Sequence, residues 1–197
     1  MAPDPPLIVI AAGGDGSRIG GGKPARLLGG QRLIDRMVAW AMRHSDAVAL
    51  AVREGTGDWG MGLPVLIDAH TGIGPISALA SAMQEGHRLQ RETVLLIGCD
   101  LPFLPNDLIP RLRAALVDHA AALPVSHGRL HPMAALWRCD PERLGQWIAG
   151  GGQSLWRYAR EVGMAEAGWD ETPDPFANVN DAQALAVAED RLRMAGR

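Results

Sequence analysis

Apolar residues come along this chain in two rhythms. One is the unbroken run: Leu7-Ile-Val-Ile-Ala11, Ala47 to Val52, Val65-Leu-Ile67 and Thr93-Val-Leu-Leu-Ile97. None of these alternates with polar residues, which suits strands buried on both faces, as in a parallel sheet. The other is the helical stripe. Ile34, Met37, Val38 and Ala41 predict a helix to about Arg43. Ile76, Leu79, Ala80 and Met83 predict a second, opened by Pro75; Leu108, Ile109, Leu112 and Leu116 predict a third, capped by Asn106. Gly29-Gly30-Gln31-Arg32 reads as a turn, and the Gly-rich stretch 53–63 as a loop. Runs and stripes in succession are the βαβ alternation of a doubly wound sheet, in which ligands sit at the carboxyl ends of the strands.

The second half of the chain is less regular. Ala120 to Val125 is a weak strand, His127-Gly128 a turn, and His131 to Arg138 a return strand. Asp140-Pro141 starts a helix carrying Leu144, Trp147 and Ile148, which Gly150-Gly151-Gly152 breaks. Ser154 caps the next helix, Leu155 to Val162, and Gly163 ends it. A last helix presents Leu185, Ala188 and Leu192 on one face, with Asn180 or Asp181 as its cap.

Composition narrows the picture without deciding it. The 197 residues suffice for one α/β domain, spanning 1–197, with a sizeable core. A net charge of -3 gives no basic surface for nucleic acid, and 47% hydrophobic content argues against disorder. No apolar run reaches the roughly 18 residues of a membrane span, and no basic region precedes an apolar core at the start of the chain. Two cysteines, Cys99 and Cys139, make neither a CxxC motif nor a disulfide framework, which fits a cytoplasmic protein.

The chemistry is concentrated after the strands. Leu7–Ala11 feeds a loop with six glycines between Gly13 and Gly22, together with two cations, Arg18 and Lys23. Glycine lets backbone N–H groups approach a ligand closely, so a buried strand leading into such a loop is a cradle for a polyphosphate. It is not a P-loop: Ser17 stands where the opening glycine belongs, and Pro24 where a magnesium-binding hydroxyl belongs. Nor is it the dinucleotide fingerprint, whose third glycine is replaced by Ile19. Asp100 sits just past the end of the Thr93–Ile97 run, beside the expected crevice, where a carboxylate suits Mg²⁺ shared with phosphate oxygens. Cys99 reads as a small buried neighbour, His70 as a solvated loop residue and His131 as structural.

Four segments together resemble the molybdenum cofactor guanylyltransferases, nucleotidyltransferases with a Rossmann-like sheet. The first is Ala12-Gly13-Gly14 followed by Gly16-Ser17-Arg18-Ile19-Gly20, Lys23 and Leu27-Leu28. The second is Asp68 with Gly74-Pro75, where Ile76 replaces the usual Leu. The third is Asp100-Leu-Pro-Phe-Leu-Pro105, and the fourth Phe176, Asn178, Val179 and Asn180. A His-Pro followed by Ala-Leu-Trp-Arg, here from His131 to Arg138, is a further similarity. Two departures stand out: Gly22 replaces an Asp that many members carry before the Lys, and Asp181 replaces a Thr.

The resemblance implies a three-layer α/β fold with a mostly parallel central sheet. It implies transfer of GMP from Mg-GTP to molybdopterin or Mo-molybdopterin, with release of pyrophosphate. Nucleotide contacts then fall on Ala11, Ala12, Gly13, Gly14, Gly16, Ser17, Arg18, Lys23, Asp68, Gly74 and Asp100. Lys23, Arg18 and Asp100 become the catalytic set, Asp100 the Mg²⁺ ligand with Asp181 as a helper, and Asp68 a neighbour of the guanine. Asn178 and Asn180 fall on the molybdopterin side; in extended chain, two residues one apart point the same way. Transient contact with molybdopterin-delivery proteins or molybdoenzyme chaperones is a further implication. Three alternatives stay open: a cytidylyltransferase acting on the same pterin, a nucleotidyltransferase for a sugar or polyol phosphate, and an inactive nucleotide-binding regulator. Gly22 favours the last, and intact Lys23 and Asp100 oppose it.

Overall fold

The structure is a computed structural model that describes residues 4–13, 22–70 and 72–195. The predicted runs form strands and the predicted stripes form helices. In chain order these are β1 (Leu7–Ala11), β2 (Leu27–Leu28), β3 (Gln31–Arg32), α1 (Leu33–His44), β4 (Val48–Val52) and β5 (Val65–Ile67). Then come α2 (Pro75–Arg88), β6 (Thr93–Gly98), α3 (Leu108–Leu116), β7 (Ala121–Ser126), β8 (Arg129–Leu130) and β9 (Ala134–Arg138). The chain continues through α4 (Pro141–Ala149), α5 (Leu155–Val162), β10 (Met164–Trp169) and α6 (Ala182–Ala195).

The main sheet has the order β10-β7-β9-β6-β1-β4-β5, with β8 paired to β7. All pairings along it are parallel except those of β9, which runs antiparallel to both β6 and β7. Register is set by burial. Leu7 to Ala11 pair with Val94 to Gly98 on one side, and Ile8 to Ala11 with Val48 to Ala51 on the other. Alternate residues then serve opposite layers. Ile8, Ile10, Leu95 and Ile97 pack with α1 and α3; Leu7, Val9, Val94 and Leu96 pack with α2, Tyr158 of α5 and Leu144 of α4. The result is three layers, helices on both faces of a mostly parallel sheet, as the resemblance implied.

The order β5-β4-β1-β6 reverses direction between β1 and β6. In open α/β sheets the crevice outside the carboxyl ends of strands at such a reversal is where ligands bind. Here that edge brings together Ala11, Val52, Ile67 and Gly98.

Three local expectations are corrected. Gln31-Arg32 is not part of the turn: it pairs with Leu27-Leu28 in a small hairpin around Gly29-Gly30. The cap position of α3 is Asp107 rather than Asn106, and its carboxylate faces Trp169 Nε1 and Arg111 instead of a helix N–H. Residues 164–169 form β10, parallel to β7 at the sheet edge, in a stretch where no strand was expected. The predicted caps at Asp140 and Ser154 are present: their side chains accept the N–H groups of Arg143 and Arg157, at 3.0 Å and 3.3 Å.

Candidate active site

The crevice is built from strand ends. After β1, the Ala12 N–H donates to Ala51 C=O at 2.9 Å, and the Cys99 N–H donates to Ala11 C=O at 3.3 Å. These bonds carry the sheet one residue past its formal end and fix Ala11 and Ala12 beside the β6 terminus. Gly13 follows, pressed against the β4 and β5 ends. A Cβ there would lie 3.1 Å from Arg53 N and 3.4 Å from Asp68 Oδ2, so only a small residue keeps this approach. Gly14, Gly16, Ser17 and Arg18 lie outside the described residues.

Asp68 leaves β5 with its N–H on Val52 C=O at 2.9 Å. Its side chain is half-buried, and Oδ1 is buried with no hydrogen-bond partner among the described residues. Burial pushes its carboxyl up, opposed by the cation of Arg53 nearby. A buried acceptor without a donor is costly unless something supplies one. Gly74 holds the position before α2, and Pro75 opens that helix as predicted. His70 is exposed.

On the other side of β1, Asp100 turns its carboxylate back along the strand end. A Cβ on Gly98 would sit 2.6 Å from Asp100 Oδ1, so Gly98 is what lets the carboxylate lie there. Lys23 reaches it from a short 3-10 turn, Lys23–Ala25. Lys23 Nζ donates to Asp100 Oδ2 at 2.6 Å, the two side chains being 22% and 13% exposed. The same ammonium donates to Asn180 Oδ1.

Asn180 arrives on a segment seated by buried residues. Phe176 stacks on His131 at 4.8 Å and meets Trp169 edge-on at 5.1 Å. Val179 is buried with Leu28, Leu33 and Ala188, and its N–H donates to Asp100 C=O at 2.9 Å. Asp181 Oδ1 accepts the Ala184 N–H at 2.7 Å, so this residue caps α6. Asn178 lines a groove of about 510 Å³ between the segment and α6, with Phe103, Val179, Val187, Arg191 and Met194.

The structure therefore brings Lys23, Asp100 and Asn180 into one cluster and sets Ala11, Ala12, Gly13 and Asp68 along the same strand-end edge. Asn178 faces a different neighbour from Asn180. Other titratable groups are structural. His131 bonds Ser126 Oγ at 2.7 Å, and burial lowers its pKa. The Cys99 thiol is buried and pushed up to about 12, which keeps it protonated and unreactive at neutral pH. Arg53 was missed in the sequence, although it directly follows the apolar run of β4, the same strand-end rule that singled out Asp100.

A divalent cation fits this donor set in one limited way. Among the described residues no three His, Cys, Asp or Glu groups converge as a metal cage. A single strand-end carboxylate matches Mg²⁺, which keeps water and substrate phosphates as most of its ligands. The Lys23 pair uses Oδ2 and leaves Oδ1 outside it.

The model of the MobA-like NTP transferase domain matches residues 8–163. The chain belongs to that family. It is accordingly a nucleotidyltransferase. Within the family it is similar to a molybdenum cofactor guanylyltransferase of Rhodobacter capsulatus, 41% identical over 189 residues that cover 94% of this chain and 95% of the relative. A relative of the same name from Acidiphilium cryptum is 35% identical and covers 92% of each chain. Among solved structures, the molybdopterin-guanine dinucleotide biosynthesis protein A of Archaeoglobus fulgidus superposes with a TM-score of 0.79 at 18% identity, over 95% of this chain and 98% of that one. The 2-C-methyl-D-erythritol 4-phosphate cytidylyltransferase of Thermus thermophilus gives 0.69 at 18% identity, over 94% and 98%. Both share the fold of this chain. No helix among the described residues is long and apolar enough to cross a membrane.

Proposed function

We propose that this chain transfers GMP from GTP to molybdopterin, or to its molybdenum-loaded form, and releases pyrophosphate in the cytoplasm. The observation that carries the reading is the Lys23–Asp100 pair at the β1/β6 reversal, next to the backbone of Ala12 and Gly13. The names of the relatives supply the base and the acceptor.

A terminal phosphate oxygen of the pterin attacks the α-phosphorus of GTP. The bond from that phosphorus to the β-phosphate oxygen breaks, and pyrophosphate leaves. Such transfers ask the protein mainly for positioning and charge neutralisation. Lys23 sets an ammonium against the triphosphate, and Arg18 adds a second cation from the same loop. The N–H groups from Gly13 to Gly16, with Ser17 beyond them, would cradle phosphate oxygens; the Ala11 C=O and the Ala12 N–H are taken up by the sheet, so these two residues set where the loop begins rather than bind phosphate themselves. Asp100 would hold Mg²⁺, which would neutralise phosphate charge; because Mg²⁺ takes most of its ligands from phosphate and water, a single carboxylate suffices and Gly22 before Lys23 is tolerated. Asp68 receives the guanine N1–H and N2–H donors on a carboxylate whose Oδ1 has no hydrogen-bond partner among the described residues, and Gly74 shapes the turn beside it. The groove at Asn178 takes the acceptor, which delivery proteins or molybdoenzyme chaperones bring and remove.

A site with a buried acceptor discriminates strongly against a base that lacks the matching donors. Cytosine offers only its N4 amine. The test is a panel of GTP, CTP and ATP with purified molybdopterin, reading the dinucleotide product. The expected result is the highest kcat/KM with GTP. A higher value with CTP overturns the reading in favour of a cytidylyltransferase.

A further inference from the structure

Lys23 is the only lysine in the chain; the other eighteen of its nineteen basic Lys and Arg residues are arginines. An ammonium is a compact point charge with three rotatable donors on a flexible stem, unlike the fixed fork of a guanidinium. Unless held, such a stem spreads over many rotamers. Two acceptors hold this one, Asp100 Oδ2 and Asn180 Oδ1.

The two acceptors differ in what happens to them when substrate arrives. Asp100 is an anion, and in the reading above it engages the divalent cation that accompanies the nucleotide. A carboxylate that serves a divalent cation is a poorer partner for a second cation beside it. Asn180 is neutral and does not attract that cation. An ammonium only donates, so the amide has to present its oxygen to Lys23, as it does here. The position of Asn180 is also set without ligand, because Val179 next to it is buried and bonded to the Asp100 backbone.

We infer that Asn180 is a positioning residue for Lys23, the partner that keeps the ammonium at the phosphate crevice once Asp100 is engaged by the substrate's cation. This rests on reading the crevice as a nucleotide triphosphate site. It parts Asn180 from Asn178, which the resemblance groups together on the acceptor side. In the structure Asn178 faces the groove under α6, and Asn180 faces Lys23.

The single lysine makes the test specific. Acylation of the amine is counted by mass in tryptic peptide 19–26, whose Lys-Pro bond trypsin leaves intact. Asp100→Asn removes the charge and mimics an engaged carboxylate. In that variant Lys23 stays as protected as in the wild type, whereas Asp100→Asn with Asn180→Ala is acylated about tenfold faster, the scale of one hydrogen bond to a charged group. Asn180 is exposed and Asp100→Asn keeps the side-chain size, and a thermal melt of each variant checks that it is folded before its acylation is counted. The second measurement is GTP affinity by calorimetry with no acceptor present. Asn180→Ala weakens it about tenfold, and Asn178→Ala leaves it unchanged while raising KM for the acceptor. Equal acylation rates in the single and double variants overturn the inference, as does an Asn180→Ala protein that changes only the acceptor KM. If the wild type binds no GTP, the proposed function falls, and the acylation arm still decides the role of Asn180.

Discussion

Lys23 and Asp100 pair in the ligand-free protein, and in the proposed reaction Lys23 meets phosphate and Asp100 the divalent cation only when that pairing loosens. Lys23→Ala removes one preorganised donor, and turnover is expected to fall by ~10²–10³. Asp100→Asn keeps the size and removes the charge, so activity should no longer respond to added Mg²⁺. Both side chains keep some contact with solvent, so the melting temperature of either variant should stay within a few degrees of the wild type. A Mg²⁺ titration of turnover beside a thermal melt checks both; wild-type magnesium dependence in Asp100→Asn would place the cation elsewhere. Asp68 yields a prediction of a different kind. Burial raises its carboxyl above the usual range, so the folded chain binds more protons than the unfolded chain across that window. Its contribution to stability is full below the ordinary carboxylate pKa and is lost as pH rises through the raised one. At neutral pH the ligand-free protein therefore carries a penalty that Asp68→Asn removes. The variant should melt higher than the wild type at pH 7, with the gain shrinking towards pH 3–4, and it should lose preference for GTP. A gain that does not vary with pH would show that the buried charge is not its source. Asp68 and Asp100 were legible because each follows an apolar run. That Lys23 meets Asn180 was not, since nothing local links residues 157 positions apart.

At the scale of elements, the runs and stripes were readable wherever both faces of a strand or one face of a helix are buried. β10 escaped because it lies at the sheet edge: Glu166 and Gly168 are exposed, only Ala167 and Trp169 are fully buried, and Met164 and Ala165 are half-buried. The hairpin β2–β3 escaped because two residues per strand are too few to show a period. That hairpin nonetheless has a large task. Its Leu28, together with Leu33 at the start of α1, forms the surface on which Val179 and Ala188 pack, and Glu189 accepts the Gly29 N–H at 2.7 Å. This small cluster stands apart from the two larger cores, so α6 is a unit that can detach without the sheet opening. Leu28→Ala is expected to cost about 2–5 kcal/mol in that cluster. Limited proteolysis should then cut between residues 174 and 195 while the rest of the chain resists. Uniform cleavage with a drop in overall stability would instead tie α6 to the main core.

For the molecule as a whole, the sheet order decides where chemistry is possible. The alternation of runs and stripes implied a doubly wound sheet, but neither the place of the reversal between β1 and β6 nor the insertion of antiparallel β9 between β6 and β7. Long-range pairing of that kind depends on which edges are left open once other strands have paired, and a local window carries no record of it. The same long reach shapes how the protein is made. A ribosome delivers β1, Lys23, β4, β5, α2 and Asp100 within the first hundred residues, so every strand end that lines the crevice is made early. Asn180 and the helix that anchors it emerge only after some eighty further residues. A prematurely terminated chain would thus present the proposed nucleotide crevice with Lys23 deprived of one of its two acceptors. Binding nucleotide without completing transfer would make such fragments competitors of the finished enzyme rather than weak copies of it.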